Sequence, residues 1–117
     1  MNESLLKFDR EKDVSIVGFG VTRIVDGPEL DAIRDELVRF VIAAEPPKVL
    51  LDLDGVELIS SAAIALLRDL YRAIQSRQGT LGLCSVRQEI ADVLRFTKID
   101  SLFEIFPDRQ AAVVIAQ

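Results

Sequence analysis

Histidine is absent from all 117 residues of this chain, and its absence excludes several kinds of chemistry. Without an imidazole there is no Ser-His-Asp or Cys-His catalytic arrangement, and no zinc site built on histidine ligands. A histidine phosphorelay carried by this chain is excluded as well. The sequence therefore offers none of these catalytic arrangements and no histidine-based metal centre.

Cysteine and long apolar stretches are also scarce. The single cysteine, Cys84, cannot form an intramolecular disulfide and is typical of a protein from a reducing cytoplasm. It ends an apolar segment with no cationic neighbour to lower its pKa, so we predict an inert core thiol. No apolar run approaches the ~18 residues needed to span a bilayer, and residues 1–13 lack the pattern of a signal peptide. We expect a cytoplasmic protein that does not bind membranes.

Composition indicates one globular domain over residues 1–117. Half of the residues are hydrophobic and 28% are charged, which is typical of a folded chain rather than a disordered one. A chain of this length buries about two thirds of the surface that it exposes when unfolded. The net charge of −5 argues against nucleic acid or an anionic membrane as the main partner.

The most informative stretch is residues 48–78, which read as a strand, a loop and a long helix. The apolar residues expected of a strand covered on both faces are Val49, Leu50, Leu51 and Leu53. From Ala63 onward the apolar residues recur at helical spacing, which predicts an amphipathic helix beginning at Ser60 and Ser61. Both serines are thus expected where free N–H groups and the positive end of the helix dipole meet solvent. Serine is a preferred N-cap, so the simplest reading makes Ser60 a cap and Ser61 a first-turn residue.

Strands and helices alternate along the rest of the chain, which predicts βαβ units and a largely parallel sheet. Leu5–Phe8 and Val14–Phe19 are expected to form an antiparallel hairpin with a turn at Asp9–Asp13. The predicted helix after Asp26 buries Leu30, Ile33, Leu37, Phe40 and Val41, and a strand follows at Thr80–Cys84. A further helix is predicted to bury Ile90, Val93, Leu94 and Thr97, with an edge strand at Leu102–Phe106 and a last helix after Pro107. The predicted fold class is α/β, with a four- to five-stranded mixed, mostly parallel sheet and about four helices.

Three helix ends are predicted from local signals. Asp26–Glu29 reads as a capping box with Pro28 in the first turn, and Ser85–Gln88 reads as a second capping box. The central helix is predicted to end near Gln78 with Gly79 as its C-cap.

Two short motifs are weak as ligand sites. Gly18 and Gly20 lack the third glycine and the following helix of a dinucleotide fingerprint. Asp52 and Asp54 could be mistaken for a magnesium site, but such a pair at a strand end is more often one buried residue and one loop residue. We therefore predict no cofactor and no metal site.

Several of these segments together resemble the STAS domain of bacterial anti-sigma-factor antagonists and of the cytoplasmic tails of sulphate transporters. Ile59-Ser60-Ser61-Ala62 matches the family's Asp-Ser-Ser-Gly signature, in which the second serine accepts phosphate. The family's acidic residue before its first helix falls on Asp26. Further similarity comes from Gly79 before the strand that ends in Cys84-Ser85, and from Leu94–Ile99 followed by Leu102-Phe103.

The resemblance implies a regulatory binding protein and not an enzyme. Such a protein binds an anti-sigma factor of the serine-kinase type, frees a sigma factor, and is switched off when Ser61 is phosphorylated. The kinase would supply ATP and magnesium, so this chain would be its substrate. The residues expected to bind the partner, besides the phosphoacceptor Ser61, are Asp26, Asp54, Ile59, Ser60 and Ala62.

Two departures from the family signature keep an alternative open. Ile59 stands where the family has aspartate, and Ala62 stands where it has glycine. The alternative is a STAS scaffold or sensor module that binds partners without being phosphorylated, with a weak homodimer left open. A small enzyme or nucleotide-binding α/β domain is a third reading, which has the fewest supporting residues.

Overall fold

The computed structural model describes residues 5–43 and 47–115, so the first four residues of the N-terminal segment lie outside it. Its elements, in chain order, are β1 (Leu6–Glu11), β2 (Val14–Phe19), β3 (Arg23–Ile24), α1 (Pro28–Ala43), β4 (Lys48–Asp52), β5 (Leu58–Ile59), α2 (Ser61–Ser76), β6 (Thr80–Cys84), α3 (Gln88–Phe96), β7 (Glu104–Phe106) and α4 (Arg109–Ile115). A short 3-10 turn at Ile99–Ser101 precedes β7.

A five-stranded sheet with the order β1-β2-β4-β6-β7 organises the described residues. β1 pairs antiparallel with β2, and every other neighbour in this sheet is parallel. β3 and β5 form a separate two-stranded parallel pair. The predicted fold class, a mixed but mostly parallel α/β sheet with about four helices, is confirmed.

The core lies mainly on one face of the sheet, beneath α1, α2 and α3. Alternate residues of each strand point to this face, as a two-residue period requires, so Val17, Leu51 and Leu83 are fully buried. Leu37 from α1 and Leu94 from α3 belong to the same cluster. Burial of each such side chain stabilises the fold by about 1.5–3 kcal/mol, so this face supplies most of the stability.

The opposite face of the sheet is covered only by α4 among the described elements. Ile16, Leu50 and Cys84 pack there against Ala112 and Val113 of this short helix. An ion pair fastens the helix, because Arg109 donates to Asp52 Oδ2 over 2.9 Å and to Asp9 Oδ2 over 3.2 Å.

The ion pair of Arg109 also shows how the two aspartates after β4 differ. The carboxylate of Asp52 raises the pKa of Arg109, whereas Asp54 is an exposed loop residue. Asp52 is thus the covered member of the pair, as expected, and its carboxylate is engaged by an arginine. Within the described residues no three of His, Cys, Asp or Glu are placed to hold a metal ion.

The N-terminal hairpin is longer than predicted. Asp9, Arg10 and Glu11 continue the strand and pair with β2, so the turn is confined to Lys12–Asp13. Lys12 adopts a positive φ of 57°, which is typical of tight hairpin turns. The predicted turn at Asp9–Asp13 was wrong because charged side chains are readily accommodated on the solvated side of an edge strand.

Both predicted capping boxes are wrong. α1 begins at Pro28, and the carbonyl of Gly27 accepts from Leu30 N–H over 3.1 Å, while Asp26 caps no N–H of the described chain. α3 begins at Gln88 and its N-cap, Arg87, makes no side-chain cap bond. Ser85 cannot cap this helix because its backbone turns through a φ of 57° two residues too early.

The buried face of α3 is also narrower than predicted. Ile90 and Leu94 are buried, but Val93 is 40% exposed and Thr97 lies in solvent. The hydroxyl of Thr97 donates to Val93 O over 2.9 Å, so its polar group is satisfied within the helix end. A threonine whose hydroxyl donates to the carbonyl one turn earlier can lie on the exposed side of the helix, because its polar group is already hydrogen-bonded.

Helix α2 ends in a Schellman motif whose left-handed residue is Gln78, not glycine. α2 stops at Ser76, Gln78 has a φ of 61°, and Gly79 N–H donates to Ile74 O over 2.9 Å. Gly79 is required for a different reason, because a Cβ added there would lie 2.1 Å from Pro47 O. The predicted glycine C-cap was wrong because close approach, not helix termination, selects this residue.

We predict that Gly79→Ala lowers the free energy of unfolding by about 2 kcal/mol, because the Pro47 backbone must move to admit the methyl group. Gly18→Ala is the matched control, since its nearest neighbour would be Lys7 Cβ at an ordinary 3.8 Å. Urea denaturation followed by circular dichroism measures both. Equal stabilities of the two variants would contradict the steric argument.

Candidate functional site

The start of α2 is built by the short strand pair that precedes it. Ile59 pairs with Ile24 in parallel register, and Ser60 N–H donates to Ile24 O over 2.9 Å. Ser60 is extended and acts as the N-cap, with its Oγ accepting from Ala63 N–H over 3.2 Å. The predicted capping role of Ser60 is confirmed, and its hydroxyl is therefore already engaged.

Ser61 is the first residue of α2 and lies in solvent. Among the described residues its hydroxyl has no hydrogen-bond partner, and neither its own N–H nor that of Ala62 has an acceptor. These are two of the N–H groups that every helix start leaves free. The free hydroxyl therefore stands beside two free donors at the positive end of a 16-residue helix.

The first two helices start at the same end of the molecule. Asp26 and Ser61 each lie two residues beyond the paired Ile24 and Ile59. α1 and α2 then run side by side in one direction, with Arg34 Nη1 3.5 Å from Asp69 Oδ2. Arg34 and Asp69 are 35 residues apart in sequence, and so are the Ile24–Ile59 partners, so one offset relates both contacts.

This arrangement brings some of the predicted partner-binding residues together. Asp26 lies in solvent beside the start of α2, and Ser60 and Ala62 are half-buried on either side of Ser61. Asp54 lies in the exposed turn after β4, where its N–H donates to Asp52 Oδ1 over 3.0 Å. The surface where α1 and α2 start therefore carries the hydroxyl of Ser61 and the carboxylate of Asp26.

Ile59 is placed differently from the rest of the predicted set. Its side chain is only 8% exposed and belongs to the main core cluster. Only the backbone of Ile59 is therefore available for contact with a partner. An unpaired carboxylate at this buried position would cost several kcal/mol, which explains why isoleucine suits this core.

Three exposed hydrophobic residues on β5 and α3 were missed from the sequence. Leu58 is 45% exposed, Val93 is 40% exposed and Phe96 is 89% exposed. α3 packs beside β5, which is the strand that leads into Ser61. The exposure of Phe96 could have been predicted from the sequence, because it follows the buried Leu94 by two residues and so points to the opposite side of the helix.

Cys84 does not contribute to this site. Its side chain is fully buried under α4 on the far face of the sheet. Burial, with the nearby carboxylate of Asp52, raises the pKa of its thiol to about 12. The thiol is protonated at neutral pH, as expected for an inert core cysteine.

Comparison with known proteins gives this arrangement a family. A family model described as the STAS domain matches residues 8–112. This chain belongs to the STAS domain family. A STAS protein from Planctomyces limnophilus, described as an anti-sigma-factor antagonist, is 30% identical and superposes with a TM-score of 0.88 over 95% of this chain and 97% of that one.

More distant STAS structures share the fold. An anti-sigma factor antagonist from Mycobacterium paratuberculosis is 20% identical, with a TM-score of 0.82 over 95% of this chain and 92% of its own. The Bacillus cell fate determinant SpoIIAA in its phosphorylated form is 11% identical, with a TM-score of 0.69 over 94% of this chain and 98% of its own. None of the helices described in this STAS domain has the length and apolar character needed to cross a bilayer.

We predict that the two serines of the site differ in their contribution to stability. Ser60→Ala removes the acceptor for Ala63 N–H and should lower the free energy of unfolding by about 1 kcal/mol. Ser61→Ala removes an exposed hydroxyl without a partner and should change it by less than about 0.5 kcal/mol. Urea unfolding of the two variants side by side tests this. Equal losses of unfolding free energy in the two variants would show that the Ser61 hydroxyl also makes a stabilising hydrogen bond.

Proposed function

We propose that this STAS domain is an anti-sigma-factor antagonist that binds an anti-sigma factor of the serine-kinase type and is switched off by phosphorylation of Ser61. The observation that carries the proposal is the exposed, unbonded hydroxyl of Ser61 at the start of α2. The name of the 30% identical relative from Planctomyces limnophilus supports the partner class. The phosphorylated form of SpoIIAA supports a switch of this kind on the same fold.

Only Ser61, of the two adjacent serines, suits a kinase. A phosphoacceptor must give up its hydroxyl proton and enter the active site of the kinase. Ser60 Oγ is bound to Ala63 N–H and half-buried, so its modification would break the helix cap. Ser61 Oγ is exposed and can be modified while the cap stays in place.

The added phosphate would change the surface and leave the fold intact. It brings about −1.5 to −2 charges and three acceptor oxygens. The free N–H groups of Ser61 and Ala62 and the helix dipole favour an anion here by about 0.3–1 kcal/mol. The partner surface that we propose opposite Ser61 presents acidic or apolar groups, so it would then face this added negative charge together with those of Asp26 and Asp54. Binding is lost by charge repulsion and desolvation, without refolding.

We infer that the partner also uses the exposed hydrophobic residues of β5 and α3. We use the name Phe96 patch for the set of Leu58 on β5 and Val93 and Phe96 on the adjoining α3. Aromatic side chains that enter a pocket of a partner commonly supply much of the binding energy. In this proposal, the Phe96 patch supplies apolar contacts to the partner, and phosphorylation of Ser61 controls whether the partner binds.

A second candidate is an interaction module that works without phosphate. The residues that favour it are Ile59, whose side chain is buried, and Ala62, whose methyl group narrows the approach to Ser61. In that case the same surface binds a partner constitutively, and loss of the Ser61 hydroxyl has no consequence. The two candidates share the surface and differ in the covalent switch.

We predict that candidate anti-sigma kinases bind wild type and Ser61→Ala equally, and Ser61→Asp at least about tenfold more weakly, because the carboxylate mimics part of the added charge. With ATP and magnesium, intact-mass analysis should show one added phosphate on wild type and none on Ser61→Ala. Ser60→Ala is the control, since it loses the cap but keeps the acceptor and should still gain one phosphate.

The same measurements separate the two candidate functions. Binding that Ser61→Asp leaves unchanged, with no phosphate gained by wild type, would overturn the switch and favour the constitutive module. Phosphate found on Ser60 would overturn the assignment of the acceptor.

We predict that Phe96→Ala weakens kinase binding by at least about tenfold, as loss of an aromatic anchor does. Its unfolding free energy should stay within about 0.5 kcal/mol of wild type, because the ring is 89% exposed. Ile42→Ala is the matched control, since Ile42 is 63% exposed near the C-terminal end of α1, away from the start of α2. Isothermal titration calorimetry measures both, and equal affinities would remove the Phe96 patch from the interface.

A further inference from the structure

A concave feature lies on the face of the sheet that α4 covers, opposite the helices that carry the Ser61 site. It is a cavity of about 410 Å³ between α4 and the strands β4, β6 and β7. Its volume falls in the range of small-molecule pockets, which are mostly apolar with a few polar groups. The apolar lining residues include Val14, Leu50, Phe106 and Ala112.

The sequence creates this cavity by placing small residues on one strand. Thr80, Gly82 and Cys84 are the β6 residues that point to this face, opposite the buried Leu81 and Leu83. Gly82 lets the side chains of Phe106 and Leu50 lie close to the strand, since a Cβ there would lie 3.1 Å from Phe106 Cε2 and 3.6 Å from Leu50 Cδ1. α4 is only seven residues long and fills its own strip of the face through Ala112 and Val113.

One edge of the cavity carries hydrogen-bond donors. Lys48 and Thr80 are register partners on β4 and β6 and both line the cavity. Lys48 Nζ donates to Asp13 Oδ2 over 2.6 Å, which leaves two of its three protons for another acceptor. The hydroxyl of Thr80 has no partner among the described residues, and its side chain is open to solvent.

The other edge carries a negative charge. Glu104 on β7 lies opposite Gly82, pairs with no cation of the described chain and is exposed. The cavity therefore has donors on one side, a carboxylate on the other and an apolar floor between them. An anionic group is favoured beside Lys48 and disfavoured beside Glu104.

We propose that this cavity binds a small aliphatic monocarboxylate. The carboxylate accepts hydrogen bonds from Lys48 Nζ and the Thr80 hydroxyl. The aliphatic chain of the ligand contacts the apolar side chains of Leu50 and Phe106. Glu104 excludes a second carboxylate at the far end, so dicarboxylates are rejected. The proposal does not depend on the function proposed for Ser61, because this cavity is on the opposite face of the sheet.

Calorimetric titration with decanoate, decanol and decylamine, each below its micellar concentration, tests the proposal on the intact chain. Decanoate should bind at a stoichiometry of one, at least about tenfold more tightly than decanol, because of the charge-assisted hydrogen bonds. Sebacate, the ten-carbon dicarboxylate, should bind more weakly than decanoate.

Substitutions of the residues that line the cavity, and of Asp13 beside it, identify which side chains bind the ligand. Lys48→Gln should weaken decanoate at least about tenfold and leave decanol unchanged. Asp13→Asn breaks the same ion pair but keeps the ammonium, so it should bind decanoate as well as wild type or better. Gly82→Val should abolish binding of all three probes, and Thr80→Val, which is isosteric, should weaken decanoate alone. Thermal unfolding confirms that each variant is folded.

Three outcomes would overturn the proposal. The first is the absence of decanoate binding, and the second is decanoate binding that Lys48→Gln leaves unchanged. The third is tighter binding of decylamine than of decanoate, which would show that the cavity prefers a cation paired with Glu104. The kinase-binding experiments on Ser61 are read out separately, so failure of either proposal leaves the other standing.

Discussion

The parallel pairing of two very short strands fixes the surface on which the proposed function depends. β3 and β5 each contain two residues, and the hydrogen bond from Ser60 N–H to Ile24 O extends their ladder to the N-cap of α2. This contact aligns the starts of α1 and α2, so that Asp26 and Ser61 emerge at one end of the molecule. The apolar side chains of both helices, buried against the sheet, hold that alignment in place.

Features encoded by neighbouring residues could be predicted from the sequence. The helical spacing of the apolar residues from Ala63 to Ile74 predicts α2, because one face of that helix is buried. The cap at Ser60 is local as well, since its acceptor and its donor are three residues apart. The alternating strands and helices then leave few topologies for the sheet.

Features set by distant residues could not be predicted in this way. Gly79 is needed because Pro47, which is 32 positions earlier, approaches its backbone. The side chain of Ile59 is buried by packing against other elements, which no neighbouring residue announces. Ser85 and Asp26 carry the side chains of helix caps, but the chain turns before the helices begin, so backbone geometry overrides the local signal.

The hydrogen bond between Ser60 and Ala63 makes two adjacent and chemically identical hydroxyls unequal. That inequality exists only in the folded domain, because a short peptide or an unfolded chain presents both hydroxyls alike. Under the proposed function, a kinase that reads this difference distinguishes mature molecules from nascent or damaged ones. Under that proposal, the cap at Ser60 makes phosphorylation of Ser61 depend on a folded domain.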